Sequence, residues 1–296
     1  MTTYQTVNSI RHAIFFIVGS FLFLSVGTFA QKGTEIGLPL IRNYSAKEYG
    51  AFEQNWAAIQ DSVGIMYFGN GDGLLSYDGT RWNVLELPNR GSVFALSQNR
   101  EGIIYVGALG ELGYLESDKK GQLKYISLLN NLPTEYHDFN VIMSVCSTDE
   151  GVFFGSNKYI FKWDGAIFTC WENSGDTFLF AVNNMLFKRL KGKGLTIFNG
   201  NDFELVPNGE FIANKKVYSI LPINEKKVLI ALKNELLTYD GKNFSQFLTS
   251  APDFFTDNTI YTGAILNNGD FAFGSINKGI LIIDHKGQEK ALLTKK

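Results

Sequence analysis

The sequence predicts an all-β chain: a β-propeller of four-stranded antiparallel blades, six repeats recognisable, with an incomplete seven-bladed ring as the alternative. Three observations predict it. Apolar strand-like runs recur from Trp56 onward with a period of about 40 residues. Short polar turns separate them, several of the form aromatic-Asp-Gly, which suits tight hairpins. After residue 30 no stretch sustains helical periodicity. Composition agrees, with Phe 25, Tyr 13, Trp 4 and Gly 30 against Pro 6 in 296 residues. The net charge of -2 gives no electrostatic basis for binding nucleic acid. Two cysteines exclude a scaffold built on disulfides.

Residues 1–30 contain no acidic side chain, and Arg11 and His12 precede an apolar run from Ala13 to Phe29. Thr28-Phe29-Ala30 then offers small residues around a cut after Ala30. This is the layout of a secretory signal peptide; uncleaved, the same run would be a membrane anchor. The expected organisation is 1–30 as the signal, 31–55 as a lead-in with a ring-closing strand, and 56–296 as repeats. Cleavage leaves 266 residues with 26 basic and 29 acidic side chains, exported and periplasmic.

The first unit runs Trp56–Gln60, the turn Asp61–Gly64, Ile65–Gly69, Gly73–Tyr77, Asp78-Gly79 and Trp82–Leu87. The second begins at Val93 and continues Ile103–Gly107; the third begins near Val141 and carries Trp163-Asp164-Gly165. The fourth is degenerate, from Phe178 to Asn199-Gly200. The fifth runs Val217 to Asp240-Gly241, and the sixth Ile260 to Ile283. Residues closing the second strands are Gly69, Gly107, Gly155, Arg189, Ala231 and Gly274, separated by 38, 48, 34, 42 and 43. A single four-stranded unit cannot bury a core, so the apolar strands imply stacking between units.

Gln54-Asn55-Trp56, Gly64-Ile65-Met66-Tyr67-Phe68-Gly69-Asn70, Gly73-Leu74-Leu75 and Tyr77-Asp78-Gly79 carry a family resemblance. They resemble the "two-component regulator propeller" repeats in the periplasmic sensor region of Bacteroidetes-type hybrid regulators. The resemblance covers roughly residues 36–288. It implies an exported sensor whose relatives include binders of sugars or polymer fragments. Such regions are usually built of seven blades. The β-sandwich, membrane helix and kinase that follow in that family do not occur in this sequence, so the resemblance implies a truncated regulator.

No catalytic constellation stands out, and the expected role is non-enzymatic, with no cofactor and no metal; a polysaccharide lyase or hydrolase built on a propeller is the alternative ranked below it. His12, His137 and His285 are too scattered for a local metal motif. Cys146 and Cys170 fall on the first and fourth strands of one unit, beyond disulfide reach, and read as buried thiols. Neither Gly71-Asp72-Gly73 nor Lys191-Gly192-Lys193-Gly194 precedes a helix as a phosphate loop does. Lys188-Arg189-Leu190-Lys191 reads as a solvated basic loop. With strand one innermost, the segments entering strand one and the loops joining strands two and three share one end of the blades. That end places Asn55, Asn70, Asp72, Glu111, Tyr136, His137, Asn157, Lys158, Arg189 and Lys233 together as candidate ligand contacts. Their mix of amide, aromatic and charged groups suits a saccharide or other small molecule. An envelope protein or a second copy of the chain is the other expected partner, in which case the propeller is a structural or protein-interaction module.

Overall fold

A computed structural model describes residues 42–118, 123–173 and 176–294. The signal and residues 31–41 lie outside the described residues. The chain divides into two compact units, Met1–Asn43 and Tyr44–Lys296, and the second carries every blade.

Six four-stranded sheets follow one another, each an antiparallel meander in chain order. Blade 1 is β1 (Asn55–Gln60), β2 (Met66–Asn70), β3 (Gly73–Tyr77) and β4 (Trp82–Leu85). Blade 2 is β5 (Val93–Gln98), β6 (Ile104–Ala108), β7 (Glu111–Ser117) and β8 (Leu123–Ser127). Blade 3 is β9 (Ser144–Thr148), β10 (Gly151–Gly155), β11 (Tyr159–Trp163) and β12 (Phe168–Glu172). Blade 4 is β13 (Leu179–Val182), β14 (Met185–Leu190), β15 (Gly194–Phe198) and β16 (Phe203–Leu205). Blade 5 is β17 (Ser219–Pro222), β18 (Val228–Ala231), β19 (Leu236–Tyr239) and β20 (Phe244–Gln246). Blade 6 is β21 (Ile260–Ile265), β22 (Phe271–Ser275), β23 (Ile280–Ile283) and β24 (Glu289–Leu293). The two outer strands of blade 2, which the repeat pattern did not reveal, are present, and blade 4 is complete despite its degenerate sequence.

Neighbouring sheets approach through their first strands, so strand one is innermost. Both faces of a middle blade are apolar because both are covered. Five apolar clusters fill the seams between successive blades: 1–2 around Leu74 and Val106, 2–3 around Phe139 and Phe154, 3–4 around Phe153 and Leu186, 4–5 around Leu195 and Ile230, 5–6 around Leu229 and Phe273. The small residue near the end of strand two has a reason in these seams. A Cβ on Gly69 would lie 2.8 Å from Val93 O, and one on Gly155 would lie 2.7 Å from Thr177 O. The chain entering the next blade passes against that backbone.

The aromatic-Asp-Gly turns do more than tolerate a positive φ. The Asp78 carboxylate accepts from the backbone N–H of Thr80 and Arg81, Asp164 from Ala166 and Ile167, and Asp240 from Lys242 and Asn243. Asn199 makes the same contacts with Asn201 and Asp202, and Asp284 with Lys286 and Gln288. The side chain closes the hairpin between strands three and four, the role short polar side chains play in Asx turns.

The lead-in does not run as a strand where it is described. Its short helix α1 (Ala46–Tyr49) opens on a capping box between Ser45 and Glu48. Tyr44 and Tyr49 set their rings on Trp82, with centroids 5.2 Å and 5.5 Å apart. Cys146 in β9 and Cys170 in β12 are free thiols with two strands between them. Cys146 is buried and Cys170 half-buried, so only the first matches the expectation of burial. Burial pushes the two thiols up to about 12 and about 11, which leaves little thiolate for nucleophilic chemistry.

Candidate functional site

The end of the blades singled out by topology is assembled as expected, because each strand-two-to-three loop touches the segment entering the next blade. Gly110 N donates to Asn140 O, Ser92 Oγ to Gly71 O, and Ile260 N to Lys233 O. The residues there fall into two groups.

Asn70, Glu111 and Arg189 are buried. The Asn70 amide donates to Phe52 O at 2.7 Å, Gln54 O at 3.2 Å and Asn55 Oδ1 at 2.8 Å, and its oxygen accepts from Asp72 N at 3.0 Å. It ties the lead-in to blade 1. Glu111 opens β7 and accepts from the Tyr125 and Ser127 hydroxyls. Burial and the neighbouring carboxylate push the Tyr125 hydroxyl far above its ordinary range. Arg189 Nε lies 3.1 Å from Asp176 Oδ2, close enough for an ion pair but not aligned as a hydrogen bond.

Asn55, Asp72, His137, Asn157, Lys158 and Lys233 are exposed, and Tyr136 is half-buried. The structure brings four of the ten together at blade 3. The turn of 3-10 helix Thr134–Phe139 carries Tyr136 and His137, and the β10–β11 loop carries Asn157 and Lys158. His137 Nε2 is 2.9 Å from Leu132 O, which orients the ring. Lys158 Nζ reaches Asp138 Oδ2 at 2.5 Å. That bond, with one from Tyr159, holds the Asp138 carboxyl below its ordinary range. Tyr136 packs edge-to-face on Tyr159, centroids 5.2 Å apart. The Lys158–Asp138 pair thus ties the two segments together beside two aromatic planes. Asn55 and Asp72 lie at blade 1 and Lys233 at blade 5, apart from this cluster.

Sequence reasoning missed two groups. Asp138 follows His137, but its pairing with Lys158 across 20 residues has no sequence signature. Lys188 and Arg189 are not a solvated loop: both lie within β14 and are buried. The Lys188 ammonium donates to Asn173 Oδ1, and desolvation brings its pKa down to about 8. Among the described residues no group of three or more His, Cys, Asp or Glu could hold a metal ion.

A cleft of about 620 Å³ lies at the opposite end, among the turns of blades 2, 3 and 4. Its rim is committed elsewhere. Arg100 pairs with Asp149 at 2.5 Å, Asp164 closes its own turn, and Trp163 beneath is 7% exposed. Size alone does not outweigh the exposed cluster at blade 3.

No protein-family model and no curated protein matches the chain. Solved structures match at the level of the fold. The extracellular domain of a putative one-component system from B. thetaiotaomicron is 19% identical with a TM-score of 0.60; the match covers 83% of this chain and 34% of that one. This chain therefore spans about a third of that domain's length. A streptogramin B lyase is 16% identical with a TM-score of 0.63, covering 86% of each chain. A virginiamycin B lyase from Staphylococcus aureus is 13% identical with a TM-score of 0.61, covering 82% and 85%. The chain is thus a six-bladed propeller resembling the extracellular domains of Bacteroidetes sensor proteins. The lyases correct the expectation of a non-enzymatic role. Enzymes have this fold over nearly their whole length, so a sequence without a catalytic cluster does not exclude catalysis. Loops from different blades can assemble a site that no local motif reveals.

Proposed function

We propose that the chain is the ligand-binding propeller of an exported sensor and that it takes a saccharide fragment beside blade 3. The cluster of His137, Asn157 and the Lys158–Asp138 pair against Tyr136 and Tyr159 carries this reading. Sugar rings take hydrogen-bonding forks on their hydroxyls and aromatic planes on their C–H faces. The likeness to an extracellular sensor domain supports the placement outside the cytoplasm. Among the described residues no helix is long and apolar enough to cross a membrane.

Calorimetric titration with a panel of oligosaccharides tests it. Binding by the chain as it stands is expected to weaken at least tenfold in His137→Ala and in Lys158→Ala. Unchanged binding in both variants, or none with any saccharide, overturns the proposal. The lyase likeness extends over most of both chains, so the same preparation is incubated with virginiamycin B. Consumption of that compound, abolished in His137→Ala, would identify the cluster as a lyase site instead.

A further inference from the structure

In five of the six blades, strand one opens with one residue too many. In blade 1 Asn55 pairs with Asn70 and Ala57 with Gly69, so Trp56 is skipped in the ladder. Phe94 is skipped in the same way in blade 2, and Tyr261 in blade 6. In blades 3 and 5, Met143 N and Tyr218 N donate to Gly155 O and Ala231 O, although Gly155 and Ala231 pair with Ser144 and Ser219. Two residues opposing one form a β-bulge, a device that re-aims a side chain. Blade 4 has Phe178 at this place. Thr177 O, just before it, lies over Gly155 as Val93 O, just before Phe94, lies over Gly69.

The residues on either side belong to the seams. Val93 and Ala95, Ile142 and Ser144, and Val217 and Ser219 are all buried. The residue between them turns to neither seam and, on the innermost strand, faces the central channel of the propeller. Blade stacking needs no large side chain there, yet five of the six are aromatic and the sixth is Met143. The rings of Trp56 and Phe94 touch, with centroids 4.6 Å apart. Phe178 and Tyr261 are 39% and 62% exposed.

Blade 4 adds charge to this belt. Near the end of strand two, where the other blades carry Gly69, Gly107, Gly155, Ala231 and Gly274, it carries Arg189. Asp176, Phe178, Arg189 and Lys216 line one cavity. Lys216 Nζ lies 5.7 Å from the Phe178 ring centroid and 5.0 Å from that of Tyr218. Arg189 Nε is 3.1 Å from Asp176 Oδ2, yet its N–H makes no hydrogen bond. Two cations against one carboxylate leave the cavity positive.

We propose that this belt is a second binding site, separate from the blade 3 cluster, and that it takes an aromatic monocarboxylate. The ligand's ring packs among the aromatic side chains, edge to face or offset. The belt is one residue deep, which suits a single flat ring and not a long acyl chain. The carboxylate meets Lys216 and the unused donor of Arg189, whose planar guanidinium matches carboxylate geometry. A phosphate carries nearly two charges and would be repelled by Asp176.

Calorimetric titration of the full chain with phenylacetate, and with 2-phenylethanol as its neutral counterpart, tests this. Phenylacetate is expected to bind at least tenfold more tightly than the alcohol. Lys216→Met keeps the apolar stem over the two rings and removes the charge. It should weaken phenylacetate at least fivefold and leave the alcohol unchanged. Phe178→Leu should weaken both compounds. Both positions are exposed, and thermal unfolding checks that each variant folds. Lys158→Ala, in the blade 3 cluster, should bind phenylacetate as the parent does, so this site stands or falls apart from the saccharide reading. No binding of phenylacetate to the parent chain overturns the proposal. So does unchanged phenylacetate binding in Lys216→Met, or equal weakening of acid and alcohol there. Loss of phenylacetate binding in Lys158→Ala would place the ligand at blade 3 and also overturns it.

Discussion

Lys188 is 2% exposed, so its ammonium has exchanged water for one amide oxygen and the face of Phe203, 5.7 Å away. Its folded pKa of about 8 lies below the value of 10.5 for a solvated lysine. Below about pH 8 both states are protonated and the folded state bears the whole desolvation cost. Between the two values the unfolded chain binds more protons, so stability rises with pH. Urea unfolding at pH 7 and pH 10 should show a gain of up to about 3 kcal/mol. Lys188→Met should remove that gain. Asn70 gives the second prediction. Asn70→Ala strands two carbonyls and a backbone N–H beneath the lead-in and should cost about 2–3 kcal/mol in urea unfolding. Both residues show the limit of sequence at this scale. The pattern placed Asn70 in the loop after strand two, one residue beyond where the strand was read to end, and could not tell whether its amide faced a ligand or the lead-in. Lys188 sat beside Arg189 and Lys191 and looked solvated, although β14 turns it into the seam between blades 3 and 4.

At the scale of one blade, the strand-three-to-four turn can be tested through acid. Backbone N–H groups hold the Asp78, Asp164, Asp240 and Asp284 carboxyls below their ordinary range, those from Arg81, Ile167, Asn243 and Gln288 contributing most. A lowered folded pKa stabilises above the unfolded value, and that stability is lost as pH falls through the folded value. The fourfold Asp→Asn variant keeps a side-chain acceptor in each turn and cannot titrate. Its urea midpoint should fall less than the parent's between pH 5 and pH 2. The glycines give a sharper contrast. Gly155→Ala drives a Cβ to 2.5 Å from Ser144 Oγ and 2.7 Å from a backbone carbonyl, and should cost about 2 kcal/mol or more. Gly274→Ala meets one methyl at 3.0 Å and should cost much less. The turns and glycines were legible because local chemistry demands them at every repeat. The outer strands of blade 2 were not, because no aromatic-Asp-Gly marks the turn between β7 and β8.

At the scale of the molecule, stability is close to a sum over blades and seams. Among the described residues blade 3 has an apolar seam on each side and blade 6 has one. Hydrogen exchange should therefore open β21–β24 before β9–β12. Equal protection in the two blades would contradict that ordering. Six repeats were readable from the spacing of Gly69 through Gly274. Ring closure was not, since a period describes how each unit follows the last and is silent on whether the last meets the first. The candidate cluster was legible only as a list of residues on one end of the blades. Its gathering at blade 3 depends on how the Thr134–Phe139 turn lies over the β10–β11 loop.

The order in which the blades pack bears on how quickly the chain reaches this state. Each sheet pairs strands adjacent in sequence. Among the described residues every apolar seam joins consecutive blades, so each closes a loop of about one repeat and carries little loop-closure entropy. Contact order is accordingly low for an all-β chain of this length, and folding by blade-wise addition is expected to be fast.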